Sequence, residues 1–238
     1  DHAAATPADA RVVSEMVPYL SEKFYNPSSP YAPAIAVRRE YEDAKARLAR
    51  TFGAKSDEIV ITAGATESIN LAFHSISGHV VTSAIEHHAV LAAAKCLNST
   101  LIAPTEKGII SADSVKQSLQ SDTQLVSIQL ANNEIGTIQP LKDIAMVIDA
   151  ERKNRAEAGN NTPLFFHTDA SQGFGQIDVH TARLGVDMLT LNSGKMYGPK
   201  QVGLLWCKPG VSIKAQIVGG GQERNLRSGT ENVAGVIG

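Results

Sequence analysis

Seven short apolar runs, most of them separated by helix-sized stretches, constrain this 238-residue chain more than any other feature. They fall at Glu58–Thr62, His79–Ser83, Thr100–Ala103, Gln124–Gln129, Leu164–Thr168, Asp187–Leu191 and Gly203–Cys207. Runs of this length bounded by turn residues read as strands, and crossovers of helix length are what parallel strands require. The last two runs have only a loop between them, which predicts an antiparallel pair. Ahead of the first run, Ala34 to Phe52 places Tyr41, Ala44, Leu48 and Phe52 at three- and four-residue spacing among charges. That is an amphipathic helix, ended by Gly53. The expected fold is α/β, a mostly parallel seven-stranded sheet flanked by helices.

Charge and cysteine content narrow the partners. The 22 basic and 24 acidic residues nearly cancel, which gives no reason to expect nucleic acid or an anionic membrane as partner. Two cysteines, Cys96 and Cys207, are too few for a disulfide framework, and a reducing cytoplasm is the expected setting. No apolar run reaches the roughly 18 residues of a membrane span, and no signal peptide is visible. The chain starts at Asp1 and stops at Gly238 inside an apolar run, which suggests a fragment of a longer protein.

In open α/β sheets ligands gather beyond the carboxyl ends of the strands, so the polar residues there are the candidates. After the first strand, Ala63-Gly64-Ala65-Thr66 opens a helix. Such a turn presents free N–H groups and the positive end of a dipole to a phosphate, although Thr66 would equally serve as a helix cap. After the second strand, His87 either stacks on an aromatic ligand or caps and packs. A metal site at His87 and His88 is disfavoured, since adjacent helical positions do not face one point. Asn132 and Asn133 follow the fourth strand, as turn residues or ligand contacts. Asp169 follows Phe165-Phe166-His167-Thr168, and a carboxylate there needs a cationic partner such as a protonated pyridine nitrogen, or else caps a helix. Lys195 lies in LNSGKMYGPKQVG, just after an apolar strand and among residues too small or too rigid to pack. Phosphate-binding turn, stacking histidine, carboxylate and lysine, in chain order at strand ends, are what pyridoxal 5'-phosphate requires.

The phrases DHAAATP, AGATESINLA, EHHAV, ANNEIGTIQP, HTDASQ, SGKMYGPK and GGGQERNLRSGT resemble, in order, the cysteine desulfurase and selenocysteine lyase family within the class V aminotransferases. The resemblance implies a fold type I, pyridoxal-phosphate-dependent transferase large domain over residues 1–238, with a short N-terminal arm and without the smaller C-terminal domain. It implies that Ala65 and Thr66 bind phosphate, that His87 stacks on the ring, and that Asn133 and Gln172 lie near the ring hydroxyl. Asp169 matches the partner of the pyridine nitrogen and Lys195 the Schiff-base lysine. Thr230 matches a threonine that reaches the phosphate of a neighbouring subunit, which implies a homodimer with shared active sites.

Two departures stand out. Asn192 and Gly194 occupy the places of a serine and a histidine that help hold the phosphate in the family, leaving Asn192 or Ser193 as donors. The cysteine that takes up sulfur and the arginine that binds the substrate carboxylate belong to the region this chain lacks. Cys96, in a helix expected over Ala89–Leu97, and Cys207, at a strand end, are expected to be core thiols. The activity implied for the full-length protein is conversion of L-cysteine to alanine, with sulfur passed as a persulfide to acceptors such as iron–sulfur scaffold proteins. A selenocysteine lyase, another class V aminotransferase, or a non-catalytic dimerisation module are the alternatives.

Overall fold

The computed structural model describes residues 1–238. Seven strands form one sheet: β1 (Ile59–Thr62), β2 (His79–Ser83), β3 (Ser99–Ile102), β4 (Thr123–Ser127), β5 (Phe165–Asp169), β6 (Met188–Asn192) and β7 (Gly203–Cys207). Their spatial order is β1-β7-β6-β5-β4-β2-β3. Pairings among β3, β2, β4, β5 and β6 are parallel, and β7 is antiparallel to both β6 and β1. β7 is therefore the one reversed strand, and the carboxyl ends of the other six share one edge with its amino end. The expected seven strands are present: β2 and β7 have the expected bounds, and the ends of the others move by at most two residues.

Nine helices flank the sheet: α1 (Ala10–Met16), α2 (Pro18–Ser21), α3 (Ala32–Thr51), α4 (Ala65–His74), α5 (His88–Lys95), α6 (Ala112–Ser118), α7 (Leu141–Glu157), α8 (Thr181–Leu184) and α9 (Val233–Ile237). Helix α3 starts earlier than its apolar spacing indicates, because Pro33 suits a first turn whose N–H groups have no partners. Successive strand residues enter different apolar layers. Val126, Phe166 and Leu189 pack in a cluster with Tyr41, Phe52, Leu141, Ile144 and Ile148 of the α3 and α7 side. Leu125, Met188 and Leu205 pack with Ile69, Leu71, Phe73, Val90 and Ala94 of α4 and α5. A sheet covered on both faces explains why its strands read as continuous apolar runs.

Cys96 corrects an expectation: it is exposed. Helix α5 ends at Lys95, leaving Cys96 as its C-cap with the thiol turned back to the Ala92 carbonyl. Cys207 is half-buried, and burial pushes its thiol up to about 12. That thiol is a poor nucleophile at neutral pH.

Candidate active site

At the common strand edge, register brings the site together. Gly203 of β7 is paired with both Thr62 and Asn192, so the first strand's turn lies beside the lysine-bearing loop. The approach is possible only because Gly203 lacks a side chain: a Cβ there would lie 2.5 Å from the Gly64 Cα. Gly64 itself sits at φ 137°, a conformation open chiefly to glycine, and it caps α4 without a side-chain hydrogen bond. Thr66 is not the cap. It stands exposed in the first turn of α4, among N–H groups that precede the intrahelical ladder.

Two adjoining cavities occupy this edge. One, of about 240 Å³, is lined by His87, Asn133, Asp169, Gln172, Asn192 and Lys195, together with Ala65 and Thr66. The other, of about 410 Å³, shares Ala65, Thr66, Asn192 and Lys195 and adds Gly64, Gly194 and Lys200. Eight of the ten expected site residues thus surround one space. Ser193 does not: its hydroxyl donates to the Val202 carbonyl at 2.9 Å and to that of Pro199, closing its own loop. Thr230 is apart from them, lining a separate hollow with Arg227 and Glu223.

Each neighbour sets what its side chain can do. His87 caps α5, its Nδ1 accepting from the Ala89 N–H at 3.1 Å, so the neutral ring carries its proton on Nε2. The ring is nevertheless exposed and lines the cavity, so capping and ligand contact are compatible. The two amides after β4 divide their roles. Asn132 is buried and structural, donating to the Ile85 carbonyl at 2.8 Å and accepting from the N–H groups of Glu134 and Ile135. Asn133 faces the cavity. Asp169 accepts from the Ser171 N–H at 3.0 Å and keeps its other oxygen free of protein donors. Burial lowers the Lys195 amine below the ordinary lysine range, opposed by the nearby Asp169 carboxylate.

Some contributors carry no signal of their own in the sequence. The N-terminal arm lies over the site: Ala3 accepts from the Gln172 amide at 2.9 Å, and Lys195 donates to the carbonyls of Ala3 and Ala4. The Ser171 hydroxyl is buried without a partner on the cavity wall, a group that a ligand would satisfy. Glu86 is buried behind His87, accepting from the Ser83 hydroxyl at 2.6 Å and from the Gln129 N–H at 3.0 Å. It clamps the loop bearing His87 to the end of β4.

Two buried groups here predict the pH dependence of stability. Burial raises Glu86 to about 8 and lowers His167 to about 3, from ordinary values of 4.5 and 6.5. Glu86 gives its full contribution below 4.5 and loses it as pH rises towards 8. His167, held neutral between the hydroxyls of Ser127 and Thr190, gives its contribution above 6.5 and loses it as pH falls towards 3. The two slopes oppose each other between 4.5 and 6.5. Urea unfolding across pH should show stability falling outside that window. His167→Gln should remove the loss below 4.5 and Glu86→Gln the loss above 6.5, each about 2 kcal/mol.

A family model described as aminotransferase class-V matches residues 1–238. The chain belongs to the aminotransferase class-V family. Within it, the chain is similar to cysteine desulfurases: 41% identical to one from Dictyoglomus turgidum and 40% identical to one from Archaeoglobus fulgidus, over the whole of this chain in both cases. It spans 61% and 62% of the length of those relatives. Among solved structures, a NifS-like protein superimposes with a TM-score of 0.92 at 34% identity, over all of this chain and 66% of the other. Another, described as SspA in complex with cysteine, gives a TM-score of 0.92 at 35% identity, over all of this chain and 69% of the other. The α/β architecture is thus that of this class V group, whose enzymes are pyridoxal-phosphate-dependent.

Proposed function

We propose that the chain is the cofactor-binding large domain of a pyridoxal-phosphate-dependent cysteine desulfurase. One observation carries the reading: Lys195, Asp169, His87 and Thr66 converge on one cavity at the strand edge. The donor set suits the cofactor, with a carboxylate for a ring nitrogen, amides for a ring hydroxyl, a helix start for a phosphate and an amine for an aldehyde. The unpartnered Ser171 hydroxyl on the same wall is a further unused contact.

In this reading Ala65 and Thr66 hold the phosphate, His87 covers the ring, and Asn133 and Gln172 orient its hydroxyl. Asp169 keeps a proton on the ring nitrogen. The bound cofactor supplies an electron sink for the α-carbon of an amino acid. Lys195 both anchors the cofactor and moves a proton at that carbon, a task favoured by burial that lowers the amine's basicity. The free Nε2 of His87 passes protons at the cavity mouth. Neither Cys96 nor Cys207, nor any arginine, lines either cavity, which supports a sulfur-accepting cysteine and a carboxylate-binding arginine outside this chain. The same reading makes the protein a homodimer in which Thr230 serves the other subunit, and gives it a sulfur acceptor such as an iron–sulfur scaffold.

The whole protein, supplied with pyridoxal phosphate, L-cysteine and a reducing thiol, should form alanine and sulfide in equal amounts. Transfer of the amino group to a keto acid, without sulfide, would place it with the aminotransferases instead.

A further inference from the structure

We propose that Lys200 supplies the cation that binds the cofactor's phosphate, reaching across Gly194 to the α4 end of the bed. The proposal rests on the cofactor reading above and adds a residue to it. The larger cavity has two lysines and no carboxylate among its lining residues, whereas the smaller one carries Asp169. Charge is therefore sorted along the bed, with the anion-binding end at Gly64, Thr66 and Lys200. Lys195 is committed to the cofactor's aldehyde, which leaves Lys200 as the available cation. The start of α4 offers only about half a unit charge, too little to balance a phosphate dianion on its own.

The geometry supports this use of Lys200. Its ammonium donates to the Thr6 carbonyl, which leaves further N–H groups free. Its Cγ and Cδ lie 3.9 Å from the point a Cβ on Gly194 would occupy. Gly194 is not held at positive φ, so no backbone demand excludes a side chain there. The Lys200 stem therefore runs beside Gly194, at a distance a Cβ there would meet only in ordinary contact. The loop that aims it is fixed on both sides, by the Ser193 hydroxyl on the carbonyls of Pro199 and Val202 and by Thr6. Ser193 thus takes part through the loop and not by touching the ligand. Glu67, the carboxylate in the first turn of α4, is already engaged by Arg227 at 2.7 Å and by the Ala63 N–H at 2.8 Å.

The test compares pyridoxal 5'-phosphate with pyridoxal, which lacks the phosphate, on the whole protein. Lys200→Met should weaken binding of pyridoxal 5'-phosphate by about tenfold or more, leave pyridoxal unchanged, and be largely rescued by Lys200→Arg. Lys200→Gln, which keeps a donor for the Thr6 carbonyl, covers a methionine variant that does not fold. Equal losses for both compounds would show that Lys200 acts only through Thr6 and the arm, and no loss would show that it does not act; either overturns the proposal. If the unmodified protein fails to take up pyridoxal 5'-phosphate at Lys195, the cofactor reading itself falls, before any Lys200 variant is measured.

Discussion

Asp169→Asn leaves the protein folded and lowers turnover of its amino-acid substrate by about a hundredfold or more. The expectation follows from where the carboxylate stands. Asp169 ends β5 at the cavity, with one oxygen on the Ser171 N–H and the other without a protein donor. An amide has nearly the same shape but no charge, so it does not hold a proton on a pyridine nitrogen. Because Asp169 is also the carboxylate that opposes the lowering of the Lys195 amine, its loss should lower that amine further. Circular dichroism and the urea midpoint should stay near those of the parent, while steady-state turnover falls. Unchanged turnover in the asparagine protein would remove Asp169 from the chemistry.

Lys45→Met should destabilise the protein by about 3–5 kcal/mol, the usual cost of stranding a buried charge. The Lys45 and Glu223 side chains are only 3% and 5% exposed, and their ion pair measures 3.0 Å. Glu223 also accepts from the Tyr41 hydroxyl at 2.8 Å and the Ile61 N–H at 2.9 Å, tying α3 and β1 to a loop more than 160 residues away in sequence. That loop needs the tie. Glu223, Arg224 and Asn225 all have positive φ, a conformation unfavourable for residues with side chains and persistent only where the surroundings enforce it. Urea unfolding measures the loss. Adding Glu223→Gln should recover part of it, since the neutral amide needs no counter-charge; a double variant as unstable as the single would contradict the ion-pair explanation.

The parts of this structure legible in the sequence share a physical cause. Strands covered on both faces leave unbroken apolar runs, so β2, β4, β5, β6 and β7 stand out. The polar residues that interrupt those runs at their carboxyl ends, among them His87, Asp169 and Lys195, are the ones that meet at the cavity. With only a loop before β7, its antiparallel partner β6 is legible. Its other partner, β1, is not visible locally, because the pairing of Ile59 with Trp206 joins distant parts of the chain. Ser193 stands beside Lys195 in sequence, yet the carbonyls of Pro199 and Val202 claim its hydroxyl, and only the folded loop shows them. Cys96 lies in an apolar stretch, but α5 stops one residue before it. The roles of Ala3, Glu86 and Lys200 depend on contacts between elements, and no local pattern announces them.

The central claim is that Lys195 is the cofactor lysine, and borohydride reduction of the pyridoxal-phosphate-loaded whole protein, followed by peptide mapping, tests it most directly. The account predicts one stable adduct, on the peptide containing Lys195, and none in Lys195→Ala. An adduct on Lys200 or another lysine, or one that persists in Lys195→Ala, would contradict it.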